Sequence, residues 1–150
     1  EKPSSKNLAL SCPPSASSVS ADTSPTERAK QLFDCYVKLG NNFDPAINEL
    51  YADDALIQNT RRYPDGSVKT IKIPGDKYKN LIQKVMPLAK SRGDKDLFSE
   101  VTYIPEGDKV RINAKRYSTL KNYSSPLSLL VGSDTTGKWL IIEQISESQP

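Results

Sequence analysis

Histidine is absent from this chain of 150 residues, and that absence removes whole classes of chemistry. Ser-His-Asp and Cys-His catalysis both need an imidazole, and so do the commonest protein sites for transition metals. Carboxylates, tyrosines, lysines, arginines, hydroxyls and two cysteines remain. No glycine-rich phosphate cradle and no ligand cluster of metal-binding spacing occurs, so neither a cofactor nor a metal is expected. No apolar run approaches the roughly 20 residues of a membrane span, and none is expected.

What is present describes a single globular domain. With 36 % hydrophobic and 26 % charged residues, a chain of this length buries roughly 70 % of its unfolded surface and holds a real core. The net charge is +3, unevenly spread. Residues 1–54 carry 5 Lys and Arg against 8 Asp and Glu, whereas residues 55–150 carry 16 against 10. That mildly basic body falls short of a nucleic-acid footprint, and no nucleic-acid partner is expected. Arg61, Arg62, Lys69 and Lys72 read as the solvated edge of a hairpin, where charge discourages aggregation.

Residues 1–23 are rich in Ser, Pro and Ala and read as an extended leader, with residues 24–150 forming the domain. Cys12 lies in the leader and Cys35 on the first helix. A bridge between them is expected if the protein is exported, and on the chain-entropy model it would stabilise by roughly 3–4 kcal/mol. Two free thiols are the alternative. Leu8-Ala9-Leu10-Ser11-Cys12 is similar to a lipoprotein cleavage site, but polar and charged residues precede it where an apolar segment is required. The expected localisation is therefore secreted or periplasmic, with an export signal removed ahead of Glu1.

Ser24-Pro25-Thr26-Glu27 is a capping box with proline at the first helical position. Ala29, Leu32, Phe33, Tyr36 and Leu39 form the buried stripe of the helix it opens, which Gly40-Asn41-Asn42 should end. Asp44 and Pro45 start a short second helix with Ile47, Leu50 and Tyr51 inward. Ala52 to Ala55 reads as a corner and Leu56 to Tyr63 as a strand, turning at Pro64-Asp65-Gly66-Ser67 into Val68 to Ile73. Pro74-Gly75-Asp76 should cap a third helix with Tyr78, Leu81, Ile82, Val85 and Leu88 inward and Pro87 kinking or ending it. Four strands follow: Leu97 to Ile104, Lys109 to Leu120, Ser124 to Gly132 and Lys138 to Ser146. Helices first and a strand meander afterwards argue for α+β, with the helices on one face of a curved sheet.

This order of elements, with the Tyr51-Ala52-Asp53-Asp54-Ala55 corner, resembles the nuclear transport factor 2-like superfamily, which includes ketosteroid isomerase-like and SnoaL-like enzymes. The resemblance implies a cone of three helices packed on a curved mixed sheet of about six strands. It also implies a catalytic pattern: a helix-1 tyrosine and a protonated acid as oxyanion hole, with a carboxylate on the first strand moving the proton. Tyr36 falls at the tyrosine position. Asn59 occupies the proton-transfer position, where an amide cannot act as a base, and the second acid's position falls near Leu129. Catalysis by that machinery is not expected.

Strand alternation continues from Val110, Ile112 and Ala114 into Arg116, and from Trp139 and Ile141 into Glu143. Tyr36, Asn59, Arg116 and Glu143 are thus the candidate pocket residues, with Arg116 and Glu143 holding each other or an anionic ligand. Asp53 and Asp54 read as turn-capping, solvent-facing carboxylates. The expected function is an exported, non-catalytic small-molecule-binding or accessory domain. Its cavity should lie between the first and third helices and the sheet, without a carboxylate placed as a base beside Tyr36. The alternatives are a SnoaL-like isomerase, dehydratase or hydrolase, and an assembly module using the sheet face. The resemblance further implies a homodimer through the outer sheet face, with Tyr103, Tyr117 and Leu140 or Ile142 as contact candidates.

Overall fold

The computed structural model describes residues 24–149. The leader and Cys12 lie outside the described residues, and with them the Cys12–Cys35 pairing. Ser24 opens helix α1, Pro25–Asn41, by accepting a hydrogen bond from the Glu27 amide at 3.2 Å. Ala29, Leu32, Phe33, Cys35 and Leu39 are its buried residues. Full burial of a side chain such as Leu32 contributes roughly 1.5–3 kcal/mol. Asp44 accepts from the Ala46 amide at 2.9 Å and starts a 3₁₀ helix, Pro45–Leu50.

Six strands follow the helical start: β1 Tyr51–Arg62, β2 Val68–Pro74, β3 Asp96–Glu106, β4 Lys109–Ser118, β5 Tyr123–Ser133 and β6 Trp139–Ser148. Helix α2, Gly75–Arg92, lies between β2 and β3. The sheet order is β2-β1-β6-β5-β4-β3. All pairs are antiparallel except β1 with β6, which makes the sheet mixed. Its inner face carries Ile57, Val110, Ile112, Leu127, Leu129, Val131 and Ile141, all buried, and both helices pack on that side. No helix among the described residues is long and apolar enough to cross a membrane.

Three sequence expectations need correction. The first is the corner at Ala52–Ala55, which belongs to β1; the register shifts there, between Tyr51 and Leu56. The start of α2 packs on this irregular stretch. A Cβ on Gly75 would stand 2.4 Å from the Ala52 carbonyl oxygen and 2.9 Å from the Ala55 nitrogen, so only glycine fits. The second is the end of α2, which runs through Pro87 and stops at Gly93 in the left-handed region with φ 65°. Pro87 is on the exposed side, where water can satisfy the Gln83 carbonyl deprived of its amide partner. Of its expected stripe Leu81, Val85 and Leu88 are exposed, while Ile82 is buried as expected, together with Gly75.

The third is Tyr103, expected on the outer sheet face. It faces inward, opposite buried Ile112 and edge-on to Phe33 at 6.4 Å. An extra residue in β3 between Ser99 and Thr102, with Glu100 at φ 52°, reverses the alternation. Tyr117 pairs with Leu97 and donates its hydroxyl to Asn122 Oδ1 at 2.8 Å. Replacement of Gly75 by Ala forces the backbone of β1 or α2 to move. It is expected to cost about 1–3 kcal/mol or more, and a melting temperature unchanged from the parent protein would refute the close approach.

Candidate functional site

A cavity of about 210 Å³ opens between α1, α2 and the inner sheet face. Val37 of α1, Ile82 and Met86 of α2, Ile47 and Phe98 line its apolar part. Phe98 stands edge-on to Phe33 at 5.5 Å and to Tyr36 at 6.1 Å, which sets the wall beneath α1. The polar part is formed by Tyr36, Tyr51, Tyr78, Arg116, Asp94 and Asp96.

The three tyrosines arrive from α1, β1 and α2. Tyr51 and Tyr78 meet edge-on at 5.4 Å. Behind them lies Gln144 of β6, 4 % exposed. The Tyr51 hydroxyl donates to Gln144 Oε1 at 2.5 Å, and Gln144 Nε2 donates to the Tyr78 hydroxyl oxygen at 3.1 Å. Those distances fix the amide orientation, because 2.5 Å suits O–H···O and is too short for N–H···O. Burial, above all, raises the pKa of both Tyr36 and Tyr51. Both stay protonated across the physiological range.

Arg116 does enter the inner face. Its Nη2 donates to the Glu147 carbonyl at 2.9 Å and to Ser125 Oγ at 3.4 Å, leaving Nε and Nη1 without a hydrogen-bond partner among the described residues. Glu143 is not its partner. It accepts from Arg111 Nη1 at 3.2 Å on the outer face, where Arg111 Nε also meets Glu106 at 2.9 Å. The physical reason is a bulge in β6. Val131 pairs with Ile141 and Leu130 with Glu143, so Ile142 is an extra residue and the alternation reverses. Gln144 therefore faces inward in Glu143's expected place.

Asn59 also lies away from the cavity lining. Its Oδ1 accepts from Ser146 Oγ and its Nδ2 donates to Ser148 Oγ, both at 3.0 Å, which ties β1 to β6. Asp53 is exposed and held by Lys79 Nζ at 2.7 Å, which lowers its pKa. Of the four expected pocket residues, Tyr36 and Arg116 share the cavity; Asn59 and Glu143 do not line it.

The cavity lining also includes two carboxylates, Asp94 and Asp96. Asn41 clamps the start of β3 with its side-chain amide, donating to the Asp96 carbonyl and accepting from the Asp96 amide, both at 3.0 Å. The Asp96 carboxyl is left without a hydrogen-bond partner among the described residues. Its pKa is raised, chiefly by burial, with Arg116 opposing and Asp94 reinforcing the shift. Asp94 Oδ1 accepts from Ser118 Oγ at 3.3 Å. Strand alternation could have found Asp96, two residues before inward Phe98, had the strand been read one residue longer. Gln144 carried no such signal.

This architecture recurs in solved structures. One is an NTF2-like protein of unknown function from Pseudomonas putida KT2440, 15 % identical, with a TM-score of 0.63 over 81 % of this chain and 84 % of that one. A second, from Shewanella oneidensis MR-1, is 18 % identical with a TM-score of 0.59 over 82 % and 98 %. A third, described as a putative dehydratase from the NTF2-like family of Streptomyces avermitilis, is 10 % identical with a TM-score of 0.54 over 81 % and 94 %. Neither a protein-family model nor a curated protein sequence matches the chain. The chain has the nuclear transport factor 2-like cone fold, the class expected from its order of elements.

Ionising Asp96 in the folded state costs stability, because its pKa there is raised. The penalty is absent below the unfolded-state pKa of about 3.9, where both states hold the proton, and grows as pH rises through the folded-state value. Asp96→Asn is thus expected to raise the melting temperature at neutral pH, with the gain vanishing below about pH 3.9. Thermal melts of both proteins across that range check this, and a pH-independent difference would refute it.

Proposed function

We propose that this protein binds a small molecule in the cavity between α1, α2 and the sheet. The observation that carries this reading is the division of one half-open cavity into an apolar wall and a polar end of three tyrosines, an arginine and two aspartates. Drug-sized ligands occupy roughly 300–1,000 Å³, so a cavity of about 210 Å³ suits a single ring with one polar substituent. Ala89 lines the cavity from the accessible side of α2. NMR titration with toluene, acetophenone, benzylamine and benzoate should shift the resonances of Tyr36, Ile82 and Phe98 for at least one probe. Ala89→Phe should remove that response while the protein remains folded. Failure of every probe to perturb those residues would overturn the binding reading.

A second reading, a SnoaL-like isomerase, dehydratase or hydrolase, is favoured specifically by Asp96. A desolvated carboxylate without a hydrogen-bond partner among the described residues, in the same cavity as Tyr36, has the attributes of a proton-transfer group. In that reading Asp96 works with Tyr36 and Arg116, which line the same cavity.

Export to an oxidising compartment belongs to the same proposal, with a Cys12–Cys35 bridge securing the leader to α1. Association through the outer sheet face, where Leu56 and Ile145 are exposed, accompanies it. Non-reducing peptide mapping of protein made in an oxidising compartment should recover the Cys12–Cys35 cross-link. Two alkylatable thiols would overturn the bridge.

A further inference from the structure

We propose that the cavity selects a neutral ring compound bearing a hydrogen-bond acceptor oxygen, and that Gln144 sets this preference by leaving the Tyr78 hydroxyl free to donate. The selection presupposes the binding cavity proposed above. It follows from an account of the protons. Gln144 Oε1 can only accept, so the Tyr51 proton is committed to it. Gln144 Nε2 supplies a proton to the Tyr78 oxygen, so the Tyr78 proton must point elsewhere. It can turn into the cavity that Tyr78 lines. The Tyr51 hydroxyl keeps its bond to Gln144 when Tyr78 turns to a ligand, so the switch orphans no buried group.

Charge explains why the ligand is neutral. Arg116, whose Nε and Nη1 have no hydrogen-bond partner among the described residues, would attract an anion, but Asp94 and Asp96 line the same cavity and oppose one. Arg116 in turn opposes a cation that the carboxylates would attract. An uncharged acceptor meets neither penalty. It gains the tyrosine donor, and its ring lies along Phe98 and Ile82.

In the titration set, acetophenone should bind most tightly, ahead of toluene, benzylamine and benzoate. Tyr78→Phe keeps the ring and removes the proton, so it should weaken acetophenone about tenfold, the worth of one neutral hydrogen bond, and leave toluene unchanged. Gln144→Glu makes position 144 an acceptor for both tyrosines and should produce the same selective loss. Because a buried carboxylate there can unfold the protein, Tyr78→Phe is the deciding variant. Tightest binding by benzylamine or benzoate, or full acetophenone affinity in Tyr78→Phe, would overturn the selection while leaving the cavity's role as a binding site intact. Absence of all binding would overturn the binding reading itself and the selection with it.

Discussion

A single extra residue in β6 decides which chemistry the interior of this protein contains. Ile142 has no counterpart between the Val131–Ile141 and Leu130–Glu143 pairs, so Ile141 and Gln144 both face the helices although three positions separate them. Without the bulge a carboxylate would stand on the sheet floor and meet Tyr51. With it, a neutral amide does so, and Glu143 joins Arg111 and Glu106 on the far side. A one-residue change of register exchanges an entire strand between its two environments, which is why bulges carry such weight in half-buried sheets.

The amide at position 144 then organises the tyrosines. An amide has one end that accepts and one that donates, so it imposes a direction on the hydroxyls around it, which a carboxylate would not. Burial keeps Tyr36 and Tyr51 protonated, and the direction persists across the physiological range. The charged groups sit at the rim from β3 and β4, where Asp96 and Arg116 moderate each other. The cavity is consequently rich in hydrogen-bonding capacity and nearly balanced in charge.

Much of this was legible in the chain. The capping box at Ser24, the apolar stripe of α1 and the turn residues between strands report local backbone preference and 3.6- or 2-residue periodicity, which act within a few neighbours. Arg116 inside the sheet was readable for the same reason, since β4 is regular from Val110 to Ser118. Tyr103 and Glu143 were misplaced because each lies beyond an irregularity that alternation cannot register. Asp96 stood one residue outside the strand as first delimited.

The amino-acid sequence by itself determined the order of the helices and strands, the α+β class and the absence of imidazole chemistry. Each of these follows from local propensity or composition. Tertiary structure alone decided that Asn59 bonds to Ser146 and Ser148, that Gly75 must admit the backbone of β1, and that Tyr78 and Asp96 converge on one cavity with Tyr36, with Gln144 behind the tyrosines. Those outcomes depend on strand register and on how two helices seat against the sheet. They are set by contacts between residues tens of positions apart, which no local pattern encodes.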